Sequence, residues 1–142
     1  MRTENKRFHL QLIEDTIIRM SSNSFLIKGW SVTILSGLIT LYITKMREKW
    51  SPRLLLLGIV VCIIFWINDT YYLYQEHRFR SLYEKVRKTN NEAIDFNMEP
   101  PTKPFCYFLK CMFRPIFCWS YLVILVLFLF FILHEFHIII KF

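Results

Sequence analysis

One carboxylate of this sequence stands at the edge of an apolar run, where an ionised group is costly and is therefore a candidate for function. Asp69, with Asn68 before it, ends the uncharged stretch 54–68. Such a carboxylate can serve an ion pathway or a gate, or it can pair with a cation on a neighbouring helix. The available cations are Lys28, Arg78 and Arg80. Pairing with a cation is the simpler hypothesis, and a role in an ion pathway or gate is the more specific one.

A second pattern is a face of small and hydroxylated residues in the first apolar stretch. Its members recur at steps of four, four, three and four, which places them on one side of a helix: Gly29, Thr33, Gly37, Thr40 and Thr44. Small faces let membrane helices approach closely. In an oligomer the same face would line a narrow polar pore, so the pattern predicts either a helix-packing face or a pore face, and packing is the simpler.

The remaining reactive side chains do not form a catalytic or metal-binding pattern. His134, Glu135 and His137 lie within one helical turn, which supplies too few ligands for a metal. The four cysteines contain no C-x-x-C pair. Because phosphate loops, nucleophile elbows and dinucleotide fingerprints are also missing from the sequence, we expect no enzyme, no cofactor and no metal.

The elements that must position these residues are transmembrane helices. Hydrophobic residues make up 54% of the 142 residues, and no charge occurs in 29–44, 54–68 or 115–134. A bilayer needs about 20 mainly apolar helical residues, and lipid-exposed backbone must satisfy its own hydrogen bonds. The sequence therefore predicts one all-α membrane domain with spans at 24–44, 53–74 and 116–137, and with Lys28 snorkelling to the near interface.

The distribution of basic residues predicts the orientation. Of eighteen Lys and Arg residues, thirteen fall in 1–28 and 75–115, and five fall in 45–53 and at Lys141. The positive-inside rule then places the N-terminus in the cytoplasm. The basic stretch 78–88 suits anionic lipid headgroups, and we expect no direct contact with nucleic acid.

Two segments outside the spans carry helical patterns. An amphipathic helix is expected over 4–22, with a break at Ser21–Ser24 that caps the first span. The second span is expected to continue to about residue 90, with i,i+4 pairs that join Glu76 to Arg80, Arg80 to Glu84, and Glu84 to Lys88. Its apolar stripe 79–86 faces either a partner or the helix at 4–22. Residues 91–115 are expected to form a cytoplasmic loop and an interfacial segment.

Two runs resemble a group of small multi-helix proteins of the bacterial inner membrane. They are NSFLIKGWSVT at 23–33 and DTYYLYQEHRFRSLYEKVR at 69–87, and the stretch 95–98 (DFNM) is also similar. Similar proteins accompany antiphage systems, including CRISPR accessories. The resemblance implies a defence role. The motif positions that it marks for testing are Lys28, Gly29, Trp30, Asp69, Glu76, Arg78, Arg80 and Tyr83.

The sequence thus favours a self-associating protein of the bacterial inner membrane that alters membrane permeability. Its expected role is that of an antiphage-defence effector or accessory pore. On this hypothesis the small face lines the path, and Asp69 with the 76–88 charges, Glu84 included, sits at its cytoplasmic mouth. The alternative is a non-conducting anchor that docks a cytosolic defence-system protein through 75–115. A phage holin is a third possibility.

Overall fold

Helices are the only regular secondary structure in the part of the chain that its computed structural model describes. That part comprises the backbone of 2–46, 48, 50–90 and 95–141, with the side chains of 4–46, 48, 50–90 and 95–135. Helix α1 spans Arg2–Thr44, α2 spans Ser51–Lys88 and α3 spans Phe105–Met112. Helix α4 begins with Pro115–Phe117, continues through a π-helical turn over Cys118–Leu122, and ends with Val123–Lys141.

Three of these helices are long and apolar enough to cross a membrane, namely α1, α2 and α4. At 1.5 Å per residue α1 is about 65 Å long and α2 about 57 Å, whereas bilayer hydrocarbon is about 30 Å thick. Both helices therefore extend well beyond any membrane that they cross. The prediction of an all-α chain with three helices of membrane-spanning length is confirmed.

Helices α1 and α2 form a long antiparallel hairpin with two separate apolar cores. The larger core lies where α4 joins the hairpin, and its buried members include Leu35, Tyr42 and Leu55. The smaller core lies at the other end, where Ile13 of α1 packs against Leu82 and Val86 of α2. A band of buried polar side chains separates the two.

The expected break at Ser21–Ser24 is wrong, because α1 continues through it as one helix. Ser21 and Ser22 are exposed, and Ser24 is buried against α2 rather than acting as a helix cap. Packing along α2 stabilises α1 on both sides of the serines, and this outweighs their weak preference for caps. The segment 4–22 is therefore the first half of α1.

The apolar stripe at 79–86 is covered by the chain itself. Phe79 and Tyr83 pack with Leu82 and Val86 around Ile13 of α1. The structure confirms the hypothesis that the stripe packs against the N-terminal segment of the chain. Helix α2 ends at Lys88, close to the expected end near residue 90.

The segment that follows α2 is tied back to the hairpin by backbone acceptors. The Arg78 guanidinium donates to the carbonyls of Pro100 and Pro101, at 3.0 and 3.1 Å. Tyr74 donates to the Lys103 carbonyl at 2.7 Å, and His9 Nε2 donates to the Asn97 carbonyl at 3.1 Å. These bonds lead the chain along α2 towards α3.

Candidate functional site

Asp69 is the centre of a buried polar network between α1, α2 and α4. Its side chain is fully buried, and both carboxylate oxygens are hydrogen-bonded. Oδ1 accepts from Ser24 Oγ at 2.5 Å and from Lys28 Nζ at 2.8 Å. Oδ2 accepts from Tyr121 OH at 3.1 Å and lies 2.7 Å from Lys28 Nζ. A buried carboxylate is stable only with such partners, so the network holds three helices together at one point.

Lys28 uses all of its donors inside this network. Its ammonium donates to Ser24 Oγ at 2.8 Å as well as to the two oxygens of Asp69, and it lies 4.4 Å from the centre of the Phe117 ring. Two-thirds of the Lys28 side chain is buried. The ammonium finds its counter-ion within the bundle, and the expectation that Lys28 snorkels to the interface stays a prediction.

The π-helical turn of α4 supplies the fourth member of the network. Tyr121 lies in this turn and is stacked on Trp66, with ring centroids 6.1 Å apart. Trp66 in turn donates from Nε1 to the Met112 carbonyl at the end of α3, at 3.1 Å. Because π-helical turns often occur at functional sites, this turn adds weight to the network as the candidate site.

The bonding of the network does not activate a nucleophile. Ser24 and Lys28 lie at a distance typical of a serine–lysine pair, but a catalytic lysine must be free to accept the serine proton. Here the Ser24 hydroxyl donates to Asp69, and the ammonium is paired with the same carboxylate. The arrangement is suited to fixing the relative positions of the helices.

The other residues grouped with Asp69 from the sequence lie elsewhere. Asn68 is exposed and donates to the carbonyl one turn before it. Arg80 pairs with Glu76 at 2.8 Å as expected, whereas Glu84 pairs with Arg87 at 2.9 Å rather than with Arg80 or Lys88. Arg78 binds the loop carbonyls described above. Of the residues grouped with Asp69 from the sequence, Lys28 is the one that the structure brings into contact with it, and Glu76 and Arg80 form a separate pair.

The small face of α1 is open along its whole length. All five members are exposed, and no other described part of the chain comes within 4 Å of a Cβ placed on Gly29 or Gly37. The hydroxyls of Thr33, Thr40 and Thr44 donate to carbonyls three or four residues earlier in α1. Among the described residues, the face therefore plays no part in packing against another helix.

The close helix contact in the bundle is made by a glycine that the sequence analysis did not single out. A Cβ at Gly58 would lie 2.1 Å from the nearest ring atom of Phe128, which is itself fully buried. Helix α4 packs against α2 at this point because Gly58 has no side chain. An isolated glycine in an apolar helix is the sequence signal for such a contact, but it does not identify the partner.

At the far end of the bundle, Tyr42 donates to Glu135 Oε1 at 2.5 Å and so joins α1 to α4. His134 is exposed, and the side chain of His137 lies outside the described residues. Within the part of the chain that the structure describes, no three His, Cys, Asp or Glu side chains form a metal-binding group.

The chain was compared with known proteins on three levels. No family model, no curated protein and no solved structure matches it. Its function therefore has to be inferred from the geometry of the bundle.

Proposed function

We propose that the protein is a self-associating membrane protein of the bacterial cytoplasmic membrane that alters membrane permeability. The observation that carries this proposal is the open small face of α1. Three helices in one copy enclose too little space for a wide channel, so any conducting path requires several copies. The most suitable contact between copies is the face that no other helix of the chain covers.

The position of this face favours contact with a second copy. The residues of α1 that pack inside the bundle, among them Ser31, Leu35 and Tyr42, lie on the opposite side of the helix, since successive residues are about 100° apart. Large apolar side chains such as Trp30 and Val32 flank the small face and are exposed. A shallow groove between ridges is the shape that lets two membrane helices approach closely.

The threonine hydroxyls suit both lipid and a narrow path. Because each donates its proton to its own helix, it carries no unsatisfied donor into an apolar environment. Each oxygen keeps an acceptor lone pair for water or a cation. On this proposal Thr33 and Thr40 of several copies line the path.

Asp69 has a different role in this proposal from the one that the sequence suggested. It is buried on the side of α1 away from the small face, so it cannot line the same path. Its bonds to Ser24 and Lys28 instead fix the rotation of α1 about its axis, which determines the surface that α1 presents. The Asp69–Lys28 pair is thus proposed to position the conducting face.

The proposed biological context is antiphage defence, and the proposed orientation places the N-terminus in the cytoplasm. The resemblance of runs 23–33 and 69–87 to membrane proteins that accompany antiphage systems supports the first, and the excess of basic residues on the N-terminal side supports the second.

The decisive experiment measures association and ion flux on the same proteoliposomes. We expect energy transfer between two differently labelled copies and release of trapped K⁺. Gly37→Leu should abolish both, because it fills the groove, and Thr33→Leu with Thr40→Leu should reduce flux. Val32→Leu, on the flank of the same helix, is the matched control and should leave both unchanged. Flux equal to that of protein-free liposomes, with the protein shown to be inserted, would refute the permeability proposal.

A second candidate function is a non-conducting anchor that docks a cytosolic partner through 75–115. The separate core around Ile13, Leu82 and Val86 favours it, because that core makes a rigid helical pair beyond the membrane. Docking would then use the outer surface of the pair, where Ile18, Tyr83 and Glu14 border a groove. Association without flux, together with a partner whose binding is lost in Tyr83→Ala, would support this function.

A further inference from the structure

His77 is the centre of a group of cations where α2 leaves its apolar segment. Its Nε2 accepts from the Arg114 guanidinium at 3.3 Å, so the ring proton is on Nδ1. Nδ1 then donates to the Tyr107 hydroxyl oxygen at 2.6 Å. The His77 carbonyl accepts from Lys103 Nζ at 3.2 Å. The imidazole thus contacts Arg114 and Tyr107 while the backbone carbonyl of the same residue contacts Lys103, so residue 77 brings together two cations and a phenol of the stretch 103–114.

The group contains more positive charge than its neighbours compensate. Glu76 is paired with Arg80 at 2.8 Å, and Glu84 with Arg87 at 2.9 Å. Across residues 4–46, 48, 50–90 and 95–135, no carboxylate oxygen lies within 4.0 Å of the Lys103 or Arg114 nitrogens. Burial lowers the pKa of His77, and the charges of Arg114 and Lys103 lower it further. Both effects favour the neutral imidazole, and within the described residues the two cations have no counter-ion.

The donors of the group are only partly used. Arg114 donates one of five N–H groups to His77, and Lys103 donates to a single carbonyl while it lies 4.3 Å from the centre of the Tyr107 ring. Since Tyr107 accepts from His77, its own O–H is available. The recess beside Lys103 and Tyr107 has a volume of about 450 Å³ and is lined by His77, Arg80, Ser81, Glu84, Lys103 and Tyr107. Arg114 is outside this lining and contacts the other ring nitrogen of His77. A site with donors and excess positive charge is suited to an anion.

Exposed aromatic side chains around this recess favour a position at the surface of a lipid bilayer. Phe105, at the start of α3, is 72% exposed, Phe113 after its end is 62% exposed, and Trp119 in α4 is 75% exposed. Exposed aromatic rings of this kind sit at the level of lipid headgroups. Basic pockets beside transmembrane helices on the cytoplasmic side bind anionic headgroups.

We propose that Lys103 and Tyr107, which line this recess, bind the phosphate of an anionic phospholipid such as phosphatidylglycerol, and that Arg114, bound to the other nitrogen of His77, adds positive charge beside it. The inference rests on membrane insertion, which is part of the proposed function, but it does not depend on ion conduction. The lipid would neutralise the two cations and fix α3 and the start of α4 against α2.

The test is a titration of the detergent-solubilised full chain with phosphatidylglycerol, in which bound lipid is counted by native mass spectrometry. We expect Lys103→Gln and Arg114→Gln each to weaken binding about fivefold. Tyr107→Phe, which keeps the charge and removes one donor, should weaken it about threefold. Lys110→Gln is the matched control, because it removes an exposed cation from α3 outside the recess and should change binding less than twofold.

Four outcomes would overturn the site. The first is equal binding of phosphatidylcholine and phosphatidylglycerol, and the second is an equal loss of lipid binding in Lys110→Gln and Lys103→Gln. The third is unchanged binding in Tyr107→Phe, and the fourth is displacement of the lipid by an equal concentration of inorganic phosphate. Flotation of the wild-type chain with liposomes shows whether the lipid site alone is wrong or whether the proposed membrane function is wrong as well. A chain that does not float overturns both, whereas a chain that floats without lipid preference overturns the site alone.

Discussion

Replacing Gly58 with alanine should destabilise the bundle more than the same change at either glycine of the small face. The new Cβ would lie 2.1, 2.5 and 2.9 Å from three ring atoms of Phe128, where a normal contact is about 3.4–4 Å. The ring is fully buried, so it can move away only by displacing its neighbours. Overpacking of this kind costs about 1–3 kcal/mol. Since alanine is a better helix former than glycine by about 1 kcal/mol, the net loss should be up to about 2 kcal/mol.

The unfolding free energy in mixed micelles, measured by titration with a denaturing detergent, provides the assay. Gly29→Ala and Gly37→Ala are matched controls, because a Cβ at either position meets no described atom within 4 Å. They should leave the monomer unchanged or slightly more stable. Phe128→Leu in the Gly58→Ala background should recover part of the loss, since it removes the ring that clashes. A Gly58→Ala variant as stable as Gly37→Ala would refute the packing of α4 on α2 described above.

Three further changes test the polar contacts. Asp69→Asn should lower the unfolding free energy by about 3 kcal/mol, because it leaves Lys28 without its counter-ion. The double variant with Lys28→Met should be less destabilised than the sum of the single variants by about 2 kcal/mol, and an additive result would contradict a direct pair. Because the pKa of His77 is lowered in the folded state, the unfolded chain binds its proton first, so stability should fall as pH drops below about 6.5. Thermal midpoints at pH 7.5 and 5.5 should differ less in His77→Gln, and an equal difference would exclude His77 as the cause. Arg78→Gln should speed proteolytic cleavage within 95–104, and Arg78→Lys should not restore resistance, since one ammonium cannot reproduce the planar guanidinium that binds both proline carbonyls.

The sequence was sufficient to predict the helices because their signal is simple and strong. Long uncharged stretches in a chain without barrel-like alternation have one stable form in lipid, and this identifies α1, α2 and α4. The error at Ser21–Ser24 arose because local cap preference was the only information available there. A serine in the middle of a helix is tolerated when its hydroxyl finds an acceptor, and for Ser24 that acceptor is Asp69, 45 residues away. Tertiary contacts of this kind override local preference.

Charge alone was enough to predict only part of the candidate site. Asp69 could be singled out, and Lys28 was among its three possible counter-ions, because charges are visible in a sequence. Ser24 and Tyr121 could not be found in this way, since they are neutral and the π-helical turn that positions Tyr121 has no signature in a single sequence. Yet a fully buried carboxylate has about four lone-pair positions to satisfy, and one ammonium cannot fill them all. The physical question to ask of a buried acid is therefore which hydroxyls accompany its counter-ion. Here they come from α1 and α4, and so the charge on α2 determines how both of the other spans are held.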